Sequence, residues 1–191
     1  MEIKKYFNIY KEVIDKVNTS EIQKLIDCIY TAYKKQKTIF LIGNGGSAAK
    51  ASHVAQDFSK GLIRDPNIRH RVKAISLTDS VPYITALAND EGYENIFSGQ
   101  LRILANEGDY LIAISGSGNS KNIISAVEFA KAHNIKVIGV TGFDGGKLKA
   151  MSDYSVHVPI YDMCMVESIH SMIFHYVVTY LRDKISNVKK I

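Results

Sequence analysis

Along the chain, short apolar runs alternate with longer stretches in which apolar positions recur every three or four residues. Five runs stand out: Thr38–Ile42, Ala74–Leu77, Tyr110–Ser115, Val137–Thr141 and Tyr154–Val158. Each is rich in Ile, Val or Leu, and near-continuous hydrophobicity over about five residues suits a strand buried on both faces. The helical pattern covers Glu2–Val17 and Glu21–Lys35, with Ser20 placed to cap the second helix, and returns in a final helix over roughly Met165–Asp183. Strands that alternate with helices predict a parallel sheet covered on both sides. The expected fold is α/β: a three-layer αβα sandwich on a five-stranded parallel sheet, with an N-terminal helical extension. No linker or repeat interrupts the pattern. One domain is expected over residues 1–191, with helices in 1–36 and the layered core in 37–186.

The final helix departs from simple amphipathicity. Met165, Ile169, Met172, Ile173, Phe174, Tyr176, Val177, Val178, Tyr180 and Leu181 cover most of its circumference. A helix apolar nearly all round is buried, so this one is expected to serve both the core and an interface between subunits.

Charge narrows the range of partners. The 24 Lys and Arg exceed the 19 Asp and Glu by five among 191 residues, and they are mostly dispersed. The densest basic stretch, Arg64 to Lys73, contains no aromatic residue and reads as a solvated loop, so nucleic acid is not an expected partner. A modest positive excess suits a phosphorylated metabolite. No apolar stretch reaches the ~18 residues of a membrane span, and the N-terminus, MEIKKYFNIYKEVIDK, is charged throughout and does not read as a secretory signal. Two cysteines, Cys28 and Cys164, make no disulfide framework, and a reduced, cytoplasmic protein with no membrane partner is the expectation.

Two loops carry candidate chemistry. The first strand run leads into Gly43-Asn44-Gly45-Gly46-Ser47-Ala48, where a helix begins. Glycine lets the backbone approach an anion, and a helix start presents free N–H groups. The spacing also fits a dinucleotide fingerprint, but the first acid after the next strand, Asp79, lies more than 30 residues beyond the glycines, against the ~20 a ribose contact wants. The run Tyr110–Ile114 leads into Ser115-Gly116-Ser117-Gly118-Asn119-Ser120, again before a helix. Hydroxyls at i, i+2 and i+5 around glycines can wrap a terminal phosphate without adding charge, and the same turn can also cap its helix through Asn119 or Ser120. Neither loop has a P-loop lysine. Two Gly/Ser loops at the carboxyl edge of one sheet favour a sugar phosphate over a nucleotide.

Polar groups also mark two helix faces. His53 and Asp57 lie four apart on the helix after the first loop, a spacing that serves either a shared divalent metal or an acid/base pair. Glu167, His170 and His175 sit in the apolar final helix, where ionisable groups are costly without partners. Glu167 and His175 are eight apart, ~12 Å along a continuous helix. One metal reaching both requires either that the helix start after Glu167 or that a second subunit supply a ligand. The expectation is a site at a subunit interface.

Taken together, GNGGSA at 43–48, LANDEGYENIF at 87–97, GDYLIAISGSGNS at 108–120 and IGVTGFDGG at 138–146 resemble the SIS-domain (sugar isomerase) proteins of the phosphoheptose isomerase group. The similarity runs from about Lys35 to Leu181. It implies a Rossmann-like SIS fold, a homotetramer with sites between subunits, and zinc or another divalent metal, one per site. It implies a phosphate loop at Ser115, Gly116, Ser117 and Ser120 with Ser47 nearby, and substrate contacts from Asn44, Gly45, Gly46, Asn89, Asp90 and Glu167. His53, Asp57, Glu167 and His175 are the implied metal ligands, with Asp57 the base and His175 the acid. Four positions depart from the family pattern: Asp57 replaces glutamate, Glu167 glutamine, Met165 arginine and Gly61 arginine, the last with Lys60 and Arg64 beside it.

The implied function is aldose–ketose isomerisation of a phosphorylated sugar, sedoheptulose 7-phosphate to D-glycero-D-manno-heptose 7-phosphate, through an enediol. The alternative is a non-catalytic SIS module that senses phosphosugars or binds protein, as in the tetramer that associates with the bacterial replication initiator and lacks the metal-site residues.

Overall fold

The computed structural model describes residues 2–188, with side chains through Ile185; residues 1 and 189–191 of the expected single unit lie outside the described residues. Two helices, α1 (Ile3–Lys16) and α2 (Thr19–Lys35), precede the sheet. The cap of α2 is Asn18 and not Ser20. Its side-chain oxygen accepts from the Ser20 N–H at 3.0 Å and from the Ser20 hydroxyl at 2.8 Å. An Asx cap at Asn18 begins the helix two residues earlier than a serine cap at position 20 would.

The expected layered core follows: β1 (Thr38–Gly43), α3 (Gly46–Gln56), β2 (Lys73–Ser76), α4 (Val81–Asp90), α5 (Ser98–Leu104), β3 (Tyr110–Ser115), α6 (Lys121–Ala132), β4 (Lys136–Thr141), α7 (Gly146–Met151), β5 (Tyr154–His157) and α8 (Met163–Val188). The five strands form one parallel sheet in the order β2-β1-β3-β4-β5.

Strand alternation divides the core in two. Ile39 and Leu41 of β1, and Tyr110, Ile112 and Ile114 of β3, pack with α2, α3 and α8 on one face. Phe40 and Ile42, with Leu111 and Ala113, pack on the other face with Phe97 and Leu101 of the α5 region and with Ile123 and Val127 of α6. Both faces of the central strands are therefore buried, which is why these strands read as continuous apolar runs. From β1 the chain moves outward to β2, then returns to β3 on the other side. The loops after β1 and β3 flank the crevice created by that reversal, the usual ligand position in an open α/β sheet.

Helix α8 runs unbroken through both Glu167 and His175, so the possibility that it begins after Glu167 does not hold. Most of its apolar residues are buried, but Met172 and Tyr176 remain about half exposed, as does Phe7 on α1. The basic stretch 64–73 is mostly loop. Arg71 folds it back on itself, donating to the carbonyls of Ile68, Ile63 and Asp65 at 2.9, 2.7 and 2.6 Å. Among the described residues no helix is long and apolar enough to cross a membrane. Both cysteines are free, Cys28 buried and Cys164 exposed.

Candidate active site

The loops after β1 and β3 enclose a cavity of about 270 Å³ lined by Asn44, Gly45, Gly46, Ser47, Ser115, Gly116, Ser117, Ser120, Met163 and Glu167. Ser115 Oγ accepts the Gly118 N–H at 3.1 Å, and Ser117 Oγ accepts the Asn119 N–H at 3.4 Å. In each case the hydroxyl proton stays free to donate. Ser120 occupies the cap position of α6, yet its hydroxyl makes no cap bond. Gly118 makes the turn possible: its φ is +66°, and a Cβ there would overlap the Gly145 carbonyl oxygen. The resulting cradle of hydroxyls and backbone N–H groups suits an anion with several acceptor oxygens.

A second network fixes the first loop. Asn44 and Asn122 exchange side-chain amide hydrogen bonds at 2.9 and 2.8 Å, and the Tyr93 hydroxyl donates to Asn44 Oδ1 at 3.2 Å. Asn122 is buried. Neither Asn122 nor Tyr93 was singled out by the sequence, although Tyr93 lies within the 87–97 motif and Asn122 two residues past the 108–120 motif. Asn89 and Asp90 end α4, exposed and bonded to each other at 2.7 Å, and do not line the cavity.

Farther along α3, three polar side chains converge. His53 Nε2 lies 3.4 Å from Asp57 Oδ2. The rings of His53 and His175 are 5.4 Å apart between centroids. One ligand atom from each of His53, Asp57 and His175 lies within 4.8 Å of the others. Asp57 opens a five-residue π-helical turn, Asp57–Gly61, that continues α3. Wider turns of this kind recur at functional sites; this one has no sequence signature. Asp57 Oδ1 has no hydrogen-bond partner among the described residues and faces Gly61, 3.6 Å from where a Cβ would stand.

This donor set fits a zinc-type metal. A tetrahedron with bonds of ~2.1 Å puts ligand atoms ~3.4 Å apart, the separation between His53 and Asp57. Two imidazoles and one carboxylate are a donor set seen in catalytic zinc sites, and within this chain the fourth position is open. Glu167 corrects the expected four-residue set. It does not join the other three within this chain. Its carboxylate lies two turns back along α8, where a Cβ on Gly46 would come within 2.6 Å of both its oxygens.

Lys50 lies between the two groups. Its ammonium donates to the Glu167 carbonyl at 2.8 Å and to the Ser171 hydroxyl, which itself donates to that carbonyl at 3.0 Å. Burial pulls the Lys50 pKa below its ordinary value, and the negative charge of Glu167 opposes that. His170, fully buried on α8, bonds the Thr141 carbonyl at the end of β4 through Nε2 at 3.0 Å and leaves Nδ1 without a partner among the described residues. Burial pushes its pKa down to about 4. It packs behind the site and does not face into it.

The SIS domain family model matches residues 4–142. The chain is 41% identical to a phosphoheptose isomerase of Clostridium acetobutylicum over 82% of its own length and 79% of the relative's. It is 38% identical to one from Fusobacterium nucleatum, over 88% and 84%. The fold superposes on the phosphoheptose isomerase GmhA of Neisseria gonorrhoeae with a TM-score of 0.86 and 30% identity, covering 95% of this chain and 97% of the other. Four-fifths or more of this chain therefore aligns with relatives of one kind. The chain belongs to the SIS domain family, in the branch that holds the phosphoheptose isomerases.

Proposed function

We propose that this chain is an aldose–ketose isomerase that converts sedoheptulose 7-phosphate to D-glycero-D-manno-heptose 7-phosphate. The observation that carries the reading is one helix pair, α3 and α8, serving two sites. At one end lies a hydroxyl-lined anion cavity, at the other the cluster of His53, Asp57 and His175. A phosphate held by the hydroxyls of Ser115, Ser117, Ser120 and Ser47 and by the N–H groups of Gly45 and Gly46 anchors the sugar. Asn44 and Glu167, on the wall of that cavity, face the sugar hydroxyls; Asn89 and Asp90, outside the cavity, are proposed to contact the sugar beyond its phosphate.

Asp57 has one oxygen turned to His53 and the other unpaired. The unpaired Oδ1 takes a proton from C1 of the ketose, leaving a 1,2-enediol; that carboxyl proton exchanges with solvent, and Oδ1 then delivers a proton to C2. His175 carries the hydroxyl proton between O2 and O1. The net change is one hydrogen moved from C1 to C2 and a carbonyl moved from C2 to C1. His53, Asp57 and His175 would hold zinc or another divalent ion, which supplies Lewis-acid polarisation of the sugar oxygens. Glu167 from a second copy would complete the ligand set.

The working unit in this reading is a cytoplasmic single-domain protomer in a homotetramer with sites between subunits. Met172 and Tyr176, exposed four residues apart on one face of α8, and the exposed Phe7 of α1 support the association, since exposed apolar side chains favour contact with another chain. A purely binding SIS module has no use for the converging histidines and carboxylate. Incubation with sedoheptulose 7-phosphate, followed by NMR of the sugar anomeric protons with and without added zinc, tests the assignment. Metal-dependent appearance of the aldose supports it; a ketose unchanged in both samples rejects it.

A further inference from the structure

Helices α3 and α8 face each other through two polar stripes. On α3 the stripe is Gly46, Lys50 and His53; on α8 it is Glu167, Ser171 and His175. Spacings of three and four residues put each set on one helix face. The stripes meet as three rungs: Gly46 beneath the Glu167 carboxylate, Lys50 on Ser171, and His53 beside His175. The outer rungs belong to the anion cavity and to the histidine–aspartate cluster. The middle rung belongs to neither.

Among the described residues, the two hydrogen bonds from Lys50 are those that join α3 itself to α8. Apolar ridges let packed helices slide and rotate by small amounts, whereas a hydrogen bond from a charged donor has a fixed length and direction. An ammonium half buried between helices is a costly way to fill space. Here the ammonium donates to a carbonyl and to a hydroxyl four residues further along α8, and its charge is offset by the nearby Glu167. That arrangement defines the axial position of α8 against α3 midway between the two sites.

We propose that Lys50 is a positioning residue which, through Ser171 and the Glu167 carbonyl, sets the register of α8 against α3. It thereby holds His175 against His53 and Asp57 while keeping the Glu167 carboxylate over Gly46. The catalytic consequence rests on the isomerase reading; the geometric claim does not.

The test compares wild type with Lys50→Met, which keeps length and loses charge and donors, and with Ser171→Ala, which loses only the hydroxyl. Crystal structures should show the His53–His175 separation lengthened by ~1 Å in Lys50→Met and by less in Ser171→Ala. With sedoheptulose 7-phosphate, kcat should fall on the order of 10- to 100-fold in Lys50→Met, the scale expected for small misplacement of reacting groups. Affinity for inorganic phosphate should stay within about twofold, a split that general destabilisation does not produce. The double variant should lose no more than Lys50→Met alone, since both changes remove one contact. An unchanged His53–His175 separation in the variants overturns the proposal whatever happens to turnover, and Ser171→Ala decides if Lys50→Met does not fold. A wild type with no isomerase activity rejects the functional reading and leaves the crystallographic comparison standing.

Discussion

His53 on α3 and His175 on α8 are 122 residues apart in sequence, yet their rings meet edge to face, with centroids 5.4 Å apart and planes at 69°. The contact closes a cluster with Asp57 that neither helix contains alone. It also separates two functions along one helix pair, phosphate anchoring near Gly46 and proton transfer near Asp57.

That separation predicts how His175→Ala should behave. Turnover of sedoheptulose 7-phosphate should drop by at least ~100-fold, the lower range for losing a positioned acid–base group. Affinity for inorganic phosphate, measured by calorimetry, should be unchanged, because the anion cavity is lined by residues other than His175. Equal loss of both would place His175 in the binding site instead.

Removal of metal should act on the same cluster. Dialysis against a chelator should abolish turnover, and added zinc should restore it. His53→Ala should lower zinc affinity, read by competition with a chromophoric chelator, because it removes one of the three ligands that this chain brings together. Full activity in protein shown by elemental analysis to be metal-free would contradict the metal assignment.

Two glycines should fail differently. At Gly118 an added methyl meets the Gly145 backbone, and φ is +66°. Gly118→Ala should therefore destabilise the fold by at least ~2 kcal/mol, visible as a lower thermal midpoint. At Gly46 the methyl meets only the flexible end of Glu167. Gly46→Ala should leave the midpoint nearly unchanged and raise KM by displacing that carboxylate from the cavity wall.

Stability should carry a signature of His170. Its native pKa is about 4, against an ordinary 6.5, so between those values the unfolded chain binds the extra proton. The stabilising contribution is therefore full above pH ~6.5 and is lost as pH falls toward 4, on the order of 3 kcal/mol in all. His170→Gln keeps a donor for the Thr141 carbonyl but does not titrate in this range. Denaturation midpoints from pH 7 to 4 should fall less steeply in the variant than in wild type.

The sheet was legible because each central strand is buried on both faces and so appears as an apolar run; β3 coincides with its run. The anion cavity was legible because glycines and serines recur at two strand-to-helix turns on one edge of the sheet. The Asn18 cap was not, because Asn18 and Ser20 are both good cap residues and only the side-chain geometry separates them. Nor was Lys50, since its partners are more than a hundred residues away and a lysine on a helix ordinarily faces water. Glu167 was the ambiguous residue. Sequence placed it on the helix of His175, and only the packing of α8 against α3 turns its carboxylate to Gly46 and away from the cluster.

The central claim is that Asp57 moves a proton between neighbouring carbons of a sugar whose phosphate sits in the serine loop. The most direct measurement is incubation of zinc-loaded protein with sedoheptulose 7-phosphate in D2O, with the products read by NMR and mass spectrometry. The account predicts an aldose carrying solvent deuterium at C2, and loss of both conversion and exchange in Asp57→Asn. Recovery of unconverted ketose with no deuterium at C1, from protein that still binds inorganic phosphate, would contradict it.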